Sequence, residues 1–255
     1  MTPVSVQAHF GEWLQGRLGP DGPVVLITLP CPALRVAAPG TIRPPFPPDS
    51  LADFAARLRL PCLPEGVTRN FPLGIGAGAS TATLVALARS AGFLGPPETL
   101  AEACLRAEKA SDPLMFPEPD RLLWASREAR VVQRVKAPKR AEILGGLWGA
   151  PQRTDAADMD FDDVSDLVEA WHDATDLPRF AAIASDSALR CTARRGPCDP
   201  MPELARDLGA LGVMRAHTGS ARGLIFAPGT APTHGADALR EAGLADVFTF
   251  RTGSP

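Results

Sequence analysis

The stretch Pro72-Leu73-Gly74-Ile75-Gly76-Ala77-Gly78-Ala79-Ser80-Thr81-Ala82 decides how the chain is read. Three glycines alternate behind a proline and run into STATLVALARSA (Ser80 to Ala91), a run of good helix formers with Leu84, Val85, Leu87 and Ala88 on one face and Gly92 as a stop. Glycine lets the backbone take positive φ and come close to a ligand, while the free N–H groups and positive dipole end of a following helix attract anionic oxygens. The pattern predicts a phosphate cradle that opens a helix, with the Ser80 and Thr81 hydroxyls placed beside the phosphates and a magnesium ion.

Other motifs compete for the same glycines. A Walker A loop needs Lys and then Ser or Thr after its last glycine, and the three lysines, Lys109, Lys136 and Lys139, all lie elsewhere. Gly74, Gly76 and Ala79 satisfy the dinucleotide pattern G-x-G-x-x-A. That fingerprint follows a buried strand, whereas residues 68–73 are polar and broken by Pro72. Gly78-Ala79-Ser80-Thr81-Ala82 imitates a nucleophile elbow with His217 or His234 as a distant base, but the regular strand–helix alternation of such hydrolases is missing. A ligand-free turn is the plain alternative in a chain with 27 prolines and 23 glycines.

Composition bounds the rest. At 255 residues, 45% hydrophobic and 22% charged, the chain supports one large or two small domains with real cores. The first residues carry no basic, apolar leader and no stretch approaches a membrane span, so a cytoplasmic protein without a membrane partner is expected. Five scattered cysteines without a C-x-x-C pair read as reduced thiols. A net charge of −3 argues against a nucleic-acid partner, and the basic run Arg190–Arg195 reads as a solvated helix end.

Along the chain, strands are expected at 4–8, 24–28 and 33–38, then a stiff Pro-rich connector at 44–48 and a helix from Ser50 that ends at Pro61. Thr99-Leu100-Ala101-Glu102 reads as a capping box opening a helix to about Ala110, which delivers Ser111-Asp112-Pro113. Strands follow at 130–135 and 143–148. The acidic run 155–163 lacks the glycine and terminal glutamate of a calcium loop, so it reads as a linker and lobe boundary. Beyond it come helices at 163–174, 179–192, 202–211 and 236–242 and strands at 213–216, 223–227 and 247–250. The class is α+β.

Three segments together resemble the GHMP kinases, the family of galactokinase, homoserine kinase, mevalonate kinase and phosphomevalonate kinase. Pro72-x-Gly74-x-Gly76-x-Gly78-x-Ser80-x-Ala82 looks like their second motif, with Ala77 where leucine is usual and Ala79 where the first of two serines is usual. Gly11-Glu12-Trp13-Leu14-Gln15-Gly16 resembles the first motif in its G-E-L-x-Q-G form, with Gln7 where proline is common. Ala216-His217-Thr218-Gly219-Ser220-Ala221-Arg222-Gly223 stands where the third motif does. Ser111-Asp112-Pro113-Leu114-Met115-Phe116-Pro117 is similar to a T-D-S-x-M-F-P stretch, and together with the first motif and the small-residue turn His217-Thr218-Gly219-Ser220 it resembles the L-threonine kinases of cobalamin biosynthesis and propanediol utilization.

The resemblance implies a two-lobed fold: a ribosomal-S5-domain-2-like N-terminal lobe (1–150) and a ferredoxin-like α/β sandwich (151–255). It implies ATP and Mg²⁺ as cofactors, and phosphorylation of the L-threonine hydroxyl for the aminopropanol linker of vitamin B12. Pro72 through Thr81 (Pro72, Leu73, Gly74, Ile75, Gly76, Ala77, Gly78, Ala79, Ser80 and Thr81) would wrap the ATP phosphates, Asp112 would be catalytic, and Ser80 with Glu102 would hold the metal. Glu12, Gln15, His217, Thr218, Gly219 and Ser220 would meet the acceptor. Some relatives pair their aspartate with a first-motif lysine; here Arg17 or Arg222 are the candidates for that charge, and His9, His172 and His234 stand in no constellation. Other hydroxyl acceptors (serine, homoserine, mevalonate-like), a non-catalytic nucleotide-binding protein and an NAD(P)-dependent oxidoreductase are the alternatives.

Overall fold

The computed structural model describes residues 2–152, 155–196 and 198–253. Its backbone is one antiparallel sheet with helices on its faces. The long hairpin β1 (Val4–Arg17) and β2 (Val24–Ile42) forms the centre. After α1 (Pro48–Arg57) and the short β3 (Val67–Arg69), the cradle leads into α2 (Ala79–Ser90), then α3 (Pro97–Glu108), β4 (Leu122–Ala125), β5 (Arg130–Arg134) and β6 (Glu142–Leu147). The second half supplies α4 (Ser165–Asp173), α5 (Leu177–Arg195), α6 (Met201–Leu208), β7 (Gly212–Arg215), β8 (Ala221–Phe226), α7 (Gly235–Glu241) and β9 (Ala245–Arg251).

The strand order is β5-β4-β2-β1-β7-β8-β6-β9, with β3 added to β2. Every pairing of these strands is antiparallel, and β1 joins β7 at the pair Glu12↔Arg215. β6, from the first 150 residues, is hydrogen-bonded between β8 and β9.

The sequence divided the first forty residues into three short strands, whereas the chain makes two of 14 and 19 residues. Register shifts at Gln7/Ala8, His9/Glu12 and Glu12/Leu14 explain the difference, because each bulge breaks the period of two by which a continuous strand is recognised. Helix α2 is covered nearly all round: Ala79, Thr81, Ala82, Thr83, Leu84, Val85, Ala86, Leu87 and Ala88 are all buried, instead of one apolar face. It lies against β1 and β2 with α3 on its other side, so the cradle is the buried start of a central helix. On the far half of the sheet, Leu144, Val213, Leu224 and Phe226 pack against Met201 of α6 and Leu239 of α7.

The acidic run 155–163 is pinned instead of loose. Asp158 pairs with Arg195 (2.5 Å), and Asp160 and Asp162 with Arg194 (2.6 and 2.5 Å), while Asp166 at the start of α4 takes Arg190 (2.5 Å). The basic run of α5 therefore serves as the anchor for the acidic one. No cysteine is in a disulfide; Cys62 and Cys198 are exposed, and Cys31, Cys104 and Cys191 are buried.

Candidate active site

The cradle is held in place by its own carbonyls. Gly76 O accepts from the Gly11 N–H (3.0 Å), Ala77 O from His9 (3.3 Å), Ile75 O from Ala221 (2.9 Å) and Gly74 O from Gln152 (2.8 Å). The first-motif strand, the glycine loop and the β7–β8 turn thus converge at one place. Gly74, Gly76 and Gly78 have φ of +79°, +78° and +65°. A Cβ on Gly76 would come within 2.2 Å of Ala216 Cβ, and one on Gly78 within 2.7 Å of the His9 ring and 2.9 Å of Asp112 Oδ2. Gly78 is the N-cap of α2 in the left-handed conformation, and no side chain caps the first turn. That turn presents its N–H groups to an anion, as helix N-termini at phosphate sites do.

A cleft of about 190 Å³ opens over the cradle. Leu73, Gly74, Gly76, Ala77, Gly78, Ala79 and Ser80 line one wall, and Glu108, Ser111 and Asp112 another. Glu12 and Gln15 of β1, Thr218 of the β7–β8 turn and Arg127 of the β4–β5 turn complete it. Of the other expected phosphate contacts, Pro72 is exposed outside this lining and the Ile75 side chain is core. Thr81 lies beneath the floor: its hydroxyl donates to Glu108 Oε1 (2.6 Å) and accepts from the Asp112 N–H (3.1 Å), so it ties two acidic residues together instead of facing a phosphate.

Glu102 is not in this cleft. It is exposed and borders a separate depression with Leu105, Arg106 and Lys109. The carboxylate beside Ser80 is Glu108, the last residue of α3. Its pKa is pushed up to about 8, first by burial of the carboxyl and then by the Asp112 charge, against the Thr81 and Ser80 hydroxyls that bond it. Lys109 follows with φ of +68° and turns the chain toward Asp112.

His9 Nε2 lies 3.4 Å from Asp112 Oδ2, and Nδ1 is 3.1 Å from Gly11 O. Burial works against charge on this ring, yet the nearby Asp112 and Glu12 charges and the Gly11 carbonyl outweigh it and raise the His9 pKa, although Nε2 and Oδ2 are not aligned as a hydrogen bond. The basic side chain against Asp112 is therefore a histidine that the sequence reading had set aside. Arg222 is engaged elsewhere: Nε meets Asp199 Oδ2 at 2.7 Å and Nη1 donates to Gly219 O and Ala221 O. Arg17 donates to Gly22 O at the end of the hairpin.

On the expected acceptor side, Glu12 Oε2 takes the His217 N–H (3.4 Å) and lies 3.6 Å from its Nδ1. His217 Nε2 is 3.3 Å from Ser187 Oγ, which also takes the Gln15 N–H (3.0 Å). His217 is thus a support behind Glu12, while Glu12 and Gln15 reach the cleft. Gly219 abuts the cradle so closely that a Cβ would come within 2.3 Å of Gly76 N, and Ser220 is buried with its carbonyl accepting from Trp148.

As a sequence the chain matches no protein-family model and no curated protein. Compared as a structure, it resembles mevalonate kinase from methicillin-resistant Staphylococcus aureus with a TM-score of 0.63 at 14% identity, covering 100% of both chains. A homoserine kinase from Cytophaga hutchinsonii gives 0.60 at 16% identity (99% of this chain, 95% of that one), and the Streptococcus pneumoniae phosphomevalonate kinase 0.62 at 11% (98% and 99%). The chain has the fold of the GHMP kinases. That fold excludes the dinucleotide and nucleophile-elbow readings of the glycines, both of which require a parallel sheet, whereas each strand pair here is antiparallel. Among the described residues no helix is long and apolar enough to cross a membrane.

A magnesium ion suits the donors present. The Ser80 hydroxyl and the Glu108 carboxyl group hydrogen-bonded to it are hard oxygens that both line the cleft. Among the described residues no three His, Cys, Asp or Glu side chains converge on one point, so a cation would complete its shell with phosphate oxygens and water, the usual habit of Mg²⁺.

Proposed function

We propose that the protein is an ATP- and Mg²⁺-dependent kinase that phosphorylates the hydroxyl of a small acceptor, and that the acceptor is L-threonine, giving O-phospho-L-threonine for the aminopropanol linker of cobalamin. One observation carries the kinase reading: the uncapped start of α2, the Ser80–Glu108 donor pair and Asp112 line a single cleft. Phosphoryl transfer asks mainly for positioning and charge neutralisation. The cradle N–H groups hold the phosphates, and Ser80 and Glu108 would hold Mg²⁺, which would supply charge to offset that of the phosphates. Asp112 takes the proton of the acceptor hydroxyl as its oxygen bonds the γ-phosphorus and ADP leaves. Glu12 and Gln15 orient the acceptor, and the Thr218–Gly219 turn closes over it. The threonine assignment rests on the resemblance of residues 11–16, 111–117 and 217–220, and residues 1–150 and 151–255 act as two lobes sharing the cleft.

Purified protein incubated with Mg-ATP and threonine, serine, homoserine, mevalonate or galactose, with products read by mass spectrometry, tests this. Phosphothreonine as the preferred product supports the full reading. A different acceptor retains the kinase and discards threonine, an outcome one methyl or methylene can decide because it is worth only about 1–3 kcal/mol. ATP binding without any product makes the protein a non-catalytic nucleotide binder.

A further inference from the structure

We propose that His9 is the positioning residue of Asp112: a buried imidazolium that holds the carboxylate where the acceptor hydroxyl gives up its proton, so that turnover requires His9 in its cationic form. This rests on the kinase reading above. Both neighbours of the ring are acceptors, an arrangement suited to two protons. Gly11 O can only accept, so Nδ1 at 3.1 Å carries a hydrogen. An ionised Asp112 also only accepts; Nε2 stands 3.4 Å from its Oδ2, buried and with no hydrogen-bond partner among the described residues, and only a second proton there would make that approach attractive.

The surroundings leave the ring little freedom and one sign of neighbour. His9 is 2% exposed, and its ring packs so close to Gly78 that a Cβ there would come within 2.7 Å of it. Facing it are Glu12 from its own strand and Asp112 from the segment after α3; α2 contributes only the Gly78 backbone. Glu108, at the end of α3, adds a further acid next to Asp112. Other cations are placed differently. None of the three lysines lines the cleft, and the Arg127 guanidinium, which acts on Asp112 from the β4–β5 turn, rests 5.5 Å from the centroid of the Phe161 ring. If the ring loses its Nε2 proton while Nδ1 stays bonded to Gly11 O, a lone pair faces the carboxylate and attraction becomes repulsion. Turnover then falls as pH rises through the titration of His9. A lysine at this position would stay charged well beyond that range, so a histidine gives the reaction an alkaline limit.

Two measurements test the proposal. Imidazole ¹⁵N NMR, with the four histidines assigned, should show both His9 nitrogens protonated at neutral pH and a midpoint above 6.5 that drops in Asp112→Asn. The pH profile of kcat should show an alkaline limb that disappears in His9→Gln, with kcat lower by about 10–100-fold, as for other outer partners of a reacting group. In His9→Lys the limb should move to higher pH with part of the rate restored, a rescue that a merely structural role would not produce. Mg-ATP affinity reports whether each variant is folded. A His9 ring carrying one proton across pH 6–8, or a His9→Gln profile superimposable on that of the parent, overturns the inference while leaving a kinase in place. A parent protein that transfers no phosphoryl group overturns the kinase reading and the catalytic part of this one, and the NMR titration still decides whether the pair exists.

Discussion

His9 Nε2 and Asp112 Oδ2 face each other at 3.4 Å over the Cα of Gly78, which has no side chain to push them apart. A methyl group there would press on both, and φ of +65° is itself unfavourable for alanine by about 1–2 kcal/mol. Gly78→Ala is expected to lower stability by about 1–3 kcal/mol in urea unfolding, and to reduce turnover by more than that loss accounts for. Full activity in a destabilised Gly78→Ala protein would show that the spacing of the pair is unimportant.

Asp112→Asn keeps the shape of the side chain and removes the proton acceptor. Turnover should fall by about 10²–10⁴-fold with Mg-ATP affinity unchanged, the mark of a group used only in the transition state. Calorimetric titration with Mg-ATP beside initial-rate kinetics separates the two quantities. A large loss of affinity with kcat intact would move Asp112 from catalysis to binding.

Glu108 links pH to stability through its raised pKa. An acid with a pKa of about 8 in the folded chain, against 4.5 ordinarily, holds its proton more tightly when folded. Its contribution is therefore complete below about 4.5 and is lost as the pH rises through 8. In EDTA at pH 9, Glu108→Gln should melt at a higher temperature than the parent; added Mg²⁺ should raise the melting temperature of the parent and leave the variant where it was. An equal Mg²⁺ shift in both would remove Glu108 from the metal.

Arg222 and Asp199 form a buried pair at 2.7 Å that fixes the turn behind Gly219. Asp199→Asn leaves an unpaired buried guanidinium, a change that costs about 3–5 kcal/mol in comparable pairs. Chemical denaturation measures this, and the Asp199→Leu, Arg222→Met double variant should recover part of it. A loss below 1 kcal/mol would mean that the turn is held by its backbone alone.

The glycine loop was legible because its requirement is local: positive φ at alternating residues followed by a helix has few other uses. Asp112 was legible through its neighbours in sequence. The place of Glu108 beside Ser80 was not, because the capping-box pattern at Thr99–Glu102 drew attention to the other end of α3, which faces a separate depression. The helix begins at Pro97 with Pro96 as its N-cap, so Thr99 falls inside the first turn and Glu102 points to solvent. Six residues at about 100° each turn Glu108 about 120° away from Glu102, and onto the cleft. His9 was hidden for a different reason: the bulges of β1 decide which face it occupies, and a pattern of two cannot be carried through them. The pairing of the acidic and basic runs, 27 or more residues apart, was equally beyond any local rule.

β6 has a consequence for how the molecule can be dissected. It leaves the first half of the chain and is claimed on both edges by strands of the last 35 residues. Severing the chain after residue 150 would strip β6 of both its neighbours and open an edge on each of β1, β7, β8 and β9, each a template for self-association. Nucleotide and acceptor binding are therefore best measured on the uncut polypeptide, in which β6 keeps both neighbours.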